Sequence, residues 1–220
     1  ALALALQPWR QLSAQTGPTP VAAPRWRSNP FALGVASGQP RPDGVVLWTR
    51  LLPDSEEIWP LSQRLTVIVS YEIYSDEAGR QAVQRGQVTT DAARAHSVHV
   101  DARGLRPDRF YWYRFSCGDA LSPVGRTRTA PAADAPVARL RLALASCQHY
   151  EQGYYPAHRE IARQDLDFVL FVGDYIYEGT NPDHKVAPGL REHTGGVPRT
   201  LDGYRQRHAL YKSDPDLRAA

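Results

Sequence analysis

The chain of 220 residues contains no methionine, only two cysteines, and no run of five or more basic residues. Because translation begins with methionine, its absence predicts a chain that was processed or cut from a longer one. Cys117 and Cys147 are too few for the disulfide framework that supports small secreted domains, although an exported protein could join them in one bridge. The net charge of +3 is spread along the chain, which argues against nucleic acid as a specific partner.

Apolar segments long enough to cross a membrane are also absent. The first residues, "ALALALQPW" (1–9), form an apolar run that is far too short, so we predict no integral membrane segment. The same run resembles the end of the apolar part of a signal peptide, although no basic residues precede it. We therefore assign residues 1–28 to a signal-peptide remnant and an approach segment, with a frayed helix as the alternative for the Ala-Leu run.

A hydrophobic content of 42% with 10% aromatic residues is typical of a folded globular chain. Between residues 29 and 130, short apolar segments bounded by Gly, Pro or Asp recur at intervals typical of a β-sandwich. They are 31–40, 44–51, 65–76, 81–90, 95–102, 110–117 and 122–130. Leu105, Pro107 and Tyr111 have the spacing of a tyrosine corner, for which an ordinary proline turn is the alternative. The pattern predicts an all-β immunoglobulin- or fibronectin-like sandwich.

The pattern changes after an Ala/Pro-rich linker at 131–138. A strand (139–146), a helix (154–165) and a second strand (166–173) predict a βαβ unit with parallel strands. A loop rich in Gly, Pro and His follows at 179–199, and two further helices are predicted, one capped by Thr200 and one starting near Asp214. Two strands are too few to complete an α/β domain, so residues 139–220 are predicted to form only its beginning.

Two chemically capable side chains follow the predicted parallel strands. Cys147 comes after the first strand and Asp174 after the second, at the sheet edge where α/β proteins bind ligands. Tyr177 lies one turn further on. A thiolate, a carboxylate and a phenolate would repel each other unless a cation such as ferric iron held them, which predicts a metal site. The alternatives are a buried cysteine, a turn or N-cap aspartate and a packing tyrosine.

The histidines are weaker candidates. His149 follows Cys147 closely and is expected near the site, whereas His158 is expected on the surface of its helix. We predict none of them as a direct metal ligand. Tyr175 is expected to pack against its neighbours.

Several motifs together resemble PhoD-type alkaline phosphatases. They include "NPFALGVASGQPRPDGVVLWTRL", "SPVGRTRTAP", "LASCQHYEQGYYPAHREIARQDLDFVLFVGDYIYEG" and "TLDGYRQRHALYKSDPDLRAA". The resemblance implies a catalytic domain similar to purple acid phosphatases and other metallophosphoesterases, with an α/β/β/α core, ferric iron (Fe³⁺) and calcium (Ca²⁺). It implies that Cys147 and Tyr177 bind the iron and that Asp174 bridges both metals. The implied substrates are phosphomonoesters, phosphodiesters or both.

The sequence departs from the family in one respect. The family continues with a Trp-Asp-Asp-His-Glu segment, an Asn and later Asp and His ligands, and none of these occurs among the 220 residues. We therefore expect these residues alone to be inactive. The alternative is a non-catalytic cell-envelope binding module with a degenerate α/β part. The resemblance also implies export, commonly by the twin-arginine route, to the periplasm, cell envelope or medium, and a Cys117 that leaves Cys147 unbridged. No oligomeric state is predicted.

Overall fold

A computed structural model describes residues 25–52, 66–179 and 190–220. The predicted signal-peptide remnant lies almost entirely outside these ranges, as do residues 180–189 of the predicted loop at 179–199. The domain boundaries drawn from the sequence stay predictions. Within the described ranges, no helix is both long enough and apolar enough to cross a bilayer.

Short antiparallel strands form the first part of the described chain. Their burial alternates because successive side chains of a strand point to opposite faces; in β5, for example, Val98 and Val100 are buried while His99 is exposed. Each segment predicted as a strand contains one, and a two-residue strand adds to them. The strands are β1 (Val35–Arg41), β2 (Gly44–Arg50), β3 (Val67–Tyr74), β4 (Ala82–Thr90), β5 (Ser97–Arg103), β6 (Phe110–Cys117), β7 (Ala120–Leu121) and β8 (Gly125–Arg128).

These strands form two sheets that enclose one hydrophobic core. The first sheet has the order β1-β2-β5, and the second has the order β4-β3-β6-β7 with β8 paired to β6. Leu47 and Val98 of the first sheet meet Val69, Ile73 and Phe115 of the second, and all are at most 1% exposed. The prediction of a sheet-rich first half is confirmed. We call β1 to β8 the two-sheet region.

The predicted tyrosine corner is present. The hydroxyl oxygen of Tyr111 accepts a hydrogen bond from the backbone N–H of Arg106 at 2.9 Å. A close approach of backbone to ring occurs nearby, where a Cβ on Gly125 would lie 2.3 Å from the Tyr113 ring. Glycine is therefore the residue that allows β8 to pair with β6 at this point.

The second part of the chain contains β9 (Leu142–Ala145), α1 (Pro156–Arg163), β10 (Phe168–Phe171), α2 (Leu201–Lys212) and α3 (Pro215–Ala219). β9 and β10 are parallel, in the register Leu142 to Phe168 and Ala145 to Phe171, as the sequence predicts. The predicted caps are also observed. Thr200 Oγ1 accepts from Gly203 N at 3.1 Å, and Asp214 Oδ1 accepts from the first turn of α3. Pro156 and Pro215 stand in the first turns, where proline is tolerated.

Helix α2 joins the two parts of the chain. The guanidinium of Arg50, at the end of β2, donates to the carbonyl oxygen of Arg205 at 2.9 Å. The rings of Trp48 and His208 meet edge to face at 6.2 Å. The helix therefore packs on the two-sheet region with one side while another side faces the ends of β9 and β10.

Candidate metal site

The carboxyl ends of β9 and β10 bring the predicted ligand-bearing segments together. Both strands end at the same sheet edge because they are parallel and in register. The backbone then links the two segments directly. Cys147 N donates to Gly173 O at 3.2 Å, and Gln148 N donates to Asp174 O at 3.3 Å.

Two of the predicted ligands have left-handed backbone conformations. Cys147 has φ 57° and Asp174 has φ 52°. A residue with a side chain adopts this region at a cost of about 1 kcal/mol or more, and such strain concentrates at functional sites. The strain thus occurs two residues after β9 and three residues after β10, at the same edge of the sheet.

The side chains of Tyr177 and Cys147 both approach one carboxylate oxygen of Asp174. Asp174 Oδ2 accepts a hydrogen bond from the Tyr177 hydroxyl at 3.0 Å, and Cys147 Sγ lies 3.6 Å from the same oxygen. Cys147 and Asp174 are exposed. The structure therefore brings together the residues that the sequence singled out, while their role as metal ligands stays a prediction.

The electrostatics of the cluster suit a cation. Burial, followed by the hydrogen bonds to Cys147 and Asp174, raises the pKa of the Tyr177 phenol. A cation at the cluster would reverse this effect, because it favours the charged form of every ligand around it. Carboxylate oxygen, thiolate sulfur and phenolate oxygen together fit a highly charged ion. The described residues hold no group of three or more His, Cys, Asp or Glu side chains arranged for a metal, and the third donor here is a tyrosine.

Tyr211 of α2 holds the backbone beside the candidate site. Its side chain is completely buried, and its hydroxyl oxygen accepts from the backbone N–H groups of Tyr177 at 3.1 Å and Tyr150 at 3.2 Å. The same hydroxyl lies 2.9 Å from His193 Nε2. Burial lowers the pKa of His193 to about 4, so this imidazole is neutral and can accept the hydroxyl proton.

Arg207, one turn before Tyr211, holds the other side of the same peptide. Its Nη1 donates to the carbonyl oxygens of Tyr177 at 2.6 Å and Glu178 at 2.7 Å. The side chain is 3% exposed, so its charge is held by backbone carbonyls rather than water. Neither Arg207 nor Tyr211 is predicted from the sequence. The signal available was an Arg and a Tyr four positions apart, which places them on one face of the predicted helix.

Gln148 connects the candidate site to α1, and its contact with His158 explains why one prediction about that histidine is wrong. Its Nε2 donates to Tyr175 O at 2.9 Å, and its Oε1 lies 2.8 Å from His158 Nε2. The expectation that His158 is a surface residue is wrong, because it is 6% exposed. The physical reason is that Gln148 provides a polar partner for the imidazole, which allows this face of α1 to pack inward.

The remaining aromatic and cysteine predictions are confirmed. Tyr175 packs, with its ring 4.9 Å from Phe171 and 5.6 Å from His208. His149 lies beside the site, with its ring 4.7 Å from that of Tyr177. Cys117 is a free, buried residue of β6, so Cys147 is not bridged.

Comparison with known proteins settles the family. The family described as "PhoD-like phosphatase, N-terminal domain" matches residues 15–131, and "PhoD-like phosphatase" matches residues 142–220. The chain belongs to the PhoD-like phosphatase family. The resemblance found in the sequence motifs is thereby confirmed.

Two individual PhoD-like proteins are similar to this chain. Alkaline phosphatase D of Bacillus subtilis (strain 168) is 48% identical over 204 residues, which cover 90% of this chain and 34% of the relative. The solved structure titled "Structure of PhoD" superposes with a TM-score of 0.81 at 47% identity, covering 90% of this chain and 38% of the other. The chain therefore spans about a third of the length of these relatives.

Proposed function

We propose that the protein hydrolyses phosphate esters with Cys147, Asp174 and Tyr177 as metal ligands. The observation that carries the proposal is the convergence of Tyr177 Oη and Cys147 Sγ on Asp174 Oδ2, in a chain of the PhoD-like family. Cys147 and Tyr177 would hold Fe³⁺, which suits thiolate and phenolate donors, and the family resemblance supports an Asp174 that would be shared with Ca²⁺. When bound, such ions neutralise phosphoryl oxygens and lower the pKa of water.

The residues of the chain have defined tasks in this proposal. Asp174 supplies a carboxylate whose Oδ2 already lies 3.0 Å from Tyr177 Oη and 3.6 Å from Cys147 Sγ. Tyr177 and Cys147 must lose their protons on metal binding, so uptake of the metal becomes tighter as pH rises. Tyr211 and Arg207 keep Tyr177 in place through its backbone, which leaves the phenol free to act as a ligand.

The finer structural and cellular assignments belong to the same proposal. We assign the two-sheet region to an immunoglobulin- or fibronectin-like sandwich, supported by its two antiparallel sheets and its tyrosine corner. We assign β9, α1 and β10 to the beginning of an α/β/β/α metallophosphatase domain. Export by the twin-arginine route is supported by the apolar residues at the start of the sequence and would deliver the protein already folded around its metals.

The experiment is spectroscopic and enzymatic, on protein expressed at its full encoded length. Elemental analysis is expected to find iron and calcium, and a visible phenolate-to-iron absorption band is expected. Tyr177→Phe should lose the band while still folding. Tyr154→Phe is the matched control, because Tyr154 is 58% exposed, and it should keep the band.

Activity is measured on a phosphomonoester and a phosphodiester, which separates the two substrate classes. The 220 residues alone supply only three of the proposed ligands and are expected to show no turnover with either ester. A full-length protein that binds no iron and hydrolyses neither ester would overturn the proposal and favour a binding module.

A further inference from the structure

A cavity lies between the two-sheet region and α2, and we call it the basic cleft. Its volume is about 520 Å³, which is within the range of small-molecule sites. The cavity is separate from the candidate metal ligands, because none of Cys147, Asp174 and Tyr177 lines it. Its walls come from both parts of the chain, with Trp48, Arg50 and Arg94 on one side and Arg205, His208 and Lys212 on the other.

The charge in the basic cleft has one sign. Among the described residues, its lining contains three arginines and a lysine and no carboxylate. Arg94 and Arg205 are paired with exposed carboxylates of their own segments, at 3.3 Å and 3.1 Å. Arg50 and Lys212 have no ion-pair partner among the described residues. Two cationic groups therefore face the same cavity without a direct ion-pair partner, and the nearest carboxylate that acts on Arg50, Asp202, is already paired with Arg205.

Both of these cations are buried, which makes the lack of direct ion pairs significant. Arg50 is 5% exposed and Lys212 is 9% exposed. Arg50 donates to the carbonyl oxygens of Ala95 at 3.0 Å and Arg205 at 2.9 Å, so its position is fixed. The Lys212 ammonium donates to no acceptor in the described part of the chain. A buried charge is costly unless it is paired, so an anion in the cavity would remove this cost.

The protonation states are compatible with anion binding at neutral pH. Burial, and then the charge of Arg218, lowers the pKa of Lys212 to about 8, which leaves most of the amine charged at pH 7. Burial, and then the charges of Arg50 and Lys212, lowers the pKa of His208. A neutral imidazole between the two cations can still donate one hydrogen bond.

We propose that the basic cleft binds a phosphoryl group, either as free phosphate or as part of a larger phosphorylated ligand. Guanidinium and ammonium groups are the side chains that proteins use for phosphate, and two unpaired cations match a dianion better than a monovalent anion. Trp48 and Tyr175 form aromatic walls beside the charges and would contact the rest of a larger ligand. This site goes beyond the proposed hydrolysis and does not depend on it.

The test is calorimetric titration of full-length protein from which metals have been removed by a chelator, with folding checked by thermal unfolding. Inorganic phosphate, pyrophosphate and acetate are the probes. We expect saturable binding of phosphate and pyrophosphate and at least ten-fold weaker binding of acetate. Tighter binding of pyrophosphate than phosphate would identify the larger phosphorylated ligand as the source, and equal binding would identify free phosphate.

Variants connect the binding to the cleft. Lys212→Met, which keeps the length of the side chain, is expected to weaken phosphate binding at least ten-fold, and exposed Arg94→Gln several-fold. Arg106→Gln removes the same charge from an exposed position outside the cleft and should bind as the wild type does. Asp174→Asn should abolish hydrolysis and leave this binding intact, so the two proposals fail separately. Absence of saturable binding at millimolar phosphate, or equal binding by Lys212→Met, would overturn the inference.

Discussion

The hydroxyl oxygen of Tyr211 accepts a hydrogen bond from the backbone N–H of Tyr177 at 3.1 Å. Arg207, one turn earlier in α2, binds the carbonyl oxygen of the same residue at 2.6 Å. Both polar groups of the Tyr177 backbone are thus fixed by one helix. Since α2 also packs on the two-sheet region through Trp48 and His208, the position of the candidate metal ligand depends on the contact between the two parts of the chain.

Removal of the Tyr211 hydroxyl is expected to destabilise the protein. Tyr211→Phe leaves the partly buried N–H groups of Tyr150 and Tyr177 without their acceptor. An unsatisfied buried donor costs about 1–3 kcal/mol, so the free energy of unfolding should fall by roughly that amount. Urea denaturation measures it. Tyr204→Phe on the exposed side of α2 is the control, and a similar loss in both variants would contradict this role for Tyr211.

Arg207 should affect the metal site more than the fold. Lys in its place has a single ammonium group and cannot reach the carbonyl oxygens of Tyr177, Glu178 and Gly196 together. We expect Arg207→Lys to shift the phenolate-to-iron band and to lower kcat by about ten-fold or more, because small misplacement of a reacting group is costly. Arg205→Lys on the adjacent face is the comparison. An unchanged band in Arg207→Lys would show that Tyr177 is positioned without it.

His193 should make the protein sensitive to mild acid. Burial first, and then the charge of Arg207, lowers its pKa to about 4, so the folded protein keeps the imidazole neutral. The unfolded chain takes up this proton below about pH 6.5, so stability falls as pH drops from 6.5 to 4, by at most about 3 kcal/mol.

The measurement is the free energy of unfolding as a function of pH. His193→Gln should lack this part of the slope, whereas His99→Gln, at an exposed position of β5, should keep it. Identical slopes in the wild type and His193→Gln would mean that the imidazole is protonated in the folded state.

The sequence predicts features that depend on neighbouring residues. Alternating burial and bounding Gly or Pro residues identify the strands, and the local spacing before Tyr111 identifies the tyrosine corner. The candidate ligands follow from the same logic, because parallel strands must end at one edge and Cys147 and Asp174 come directly after two of them.

Features that depend on how helices dock are not visible in the sequence. His158 is buried because Gln148, ten residues earlier, provides its partner. Arg207 and Tyr211 act on a peptide about 30 residues away. The basic cleft exists only because β2 and α2 meet, and the cations that line it come from separate parts of the chain.

Lys212 provides a stability test of the basic cleft. Its pKa of about 8 lies below the ordinary lysine value of 10.5, so the folded state disfavours the charged amine. Below pH 8 both states are protonated and the full penalty, about 3 kcal/mol at most, opposes folding. Between pH 8 and 10.5 the unfolded chain binds more protons, so the penalty is lost as pH rises.

Lys212→Met should therefore raise the free energy of unfolding at pH 7 in phosphate-free buffer, because a buried charge is replaced by an apolar chain of similar length. The gain should shrink as pH approaches 10.5. Added phosphate should stabilise the metal-free wild type by the amount that its binding constant sets and should stabilise the metal-free variant less. A variant that is less stable than the wild type at pH 7 without phosphate would mean that a partner inside the protein already pairs with Lys212.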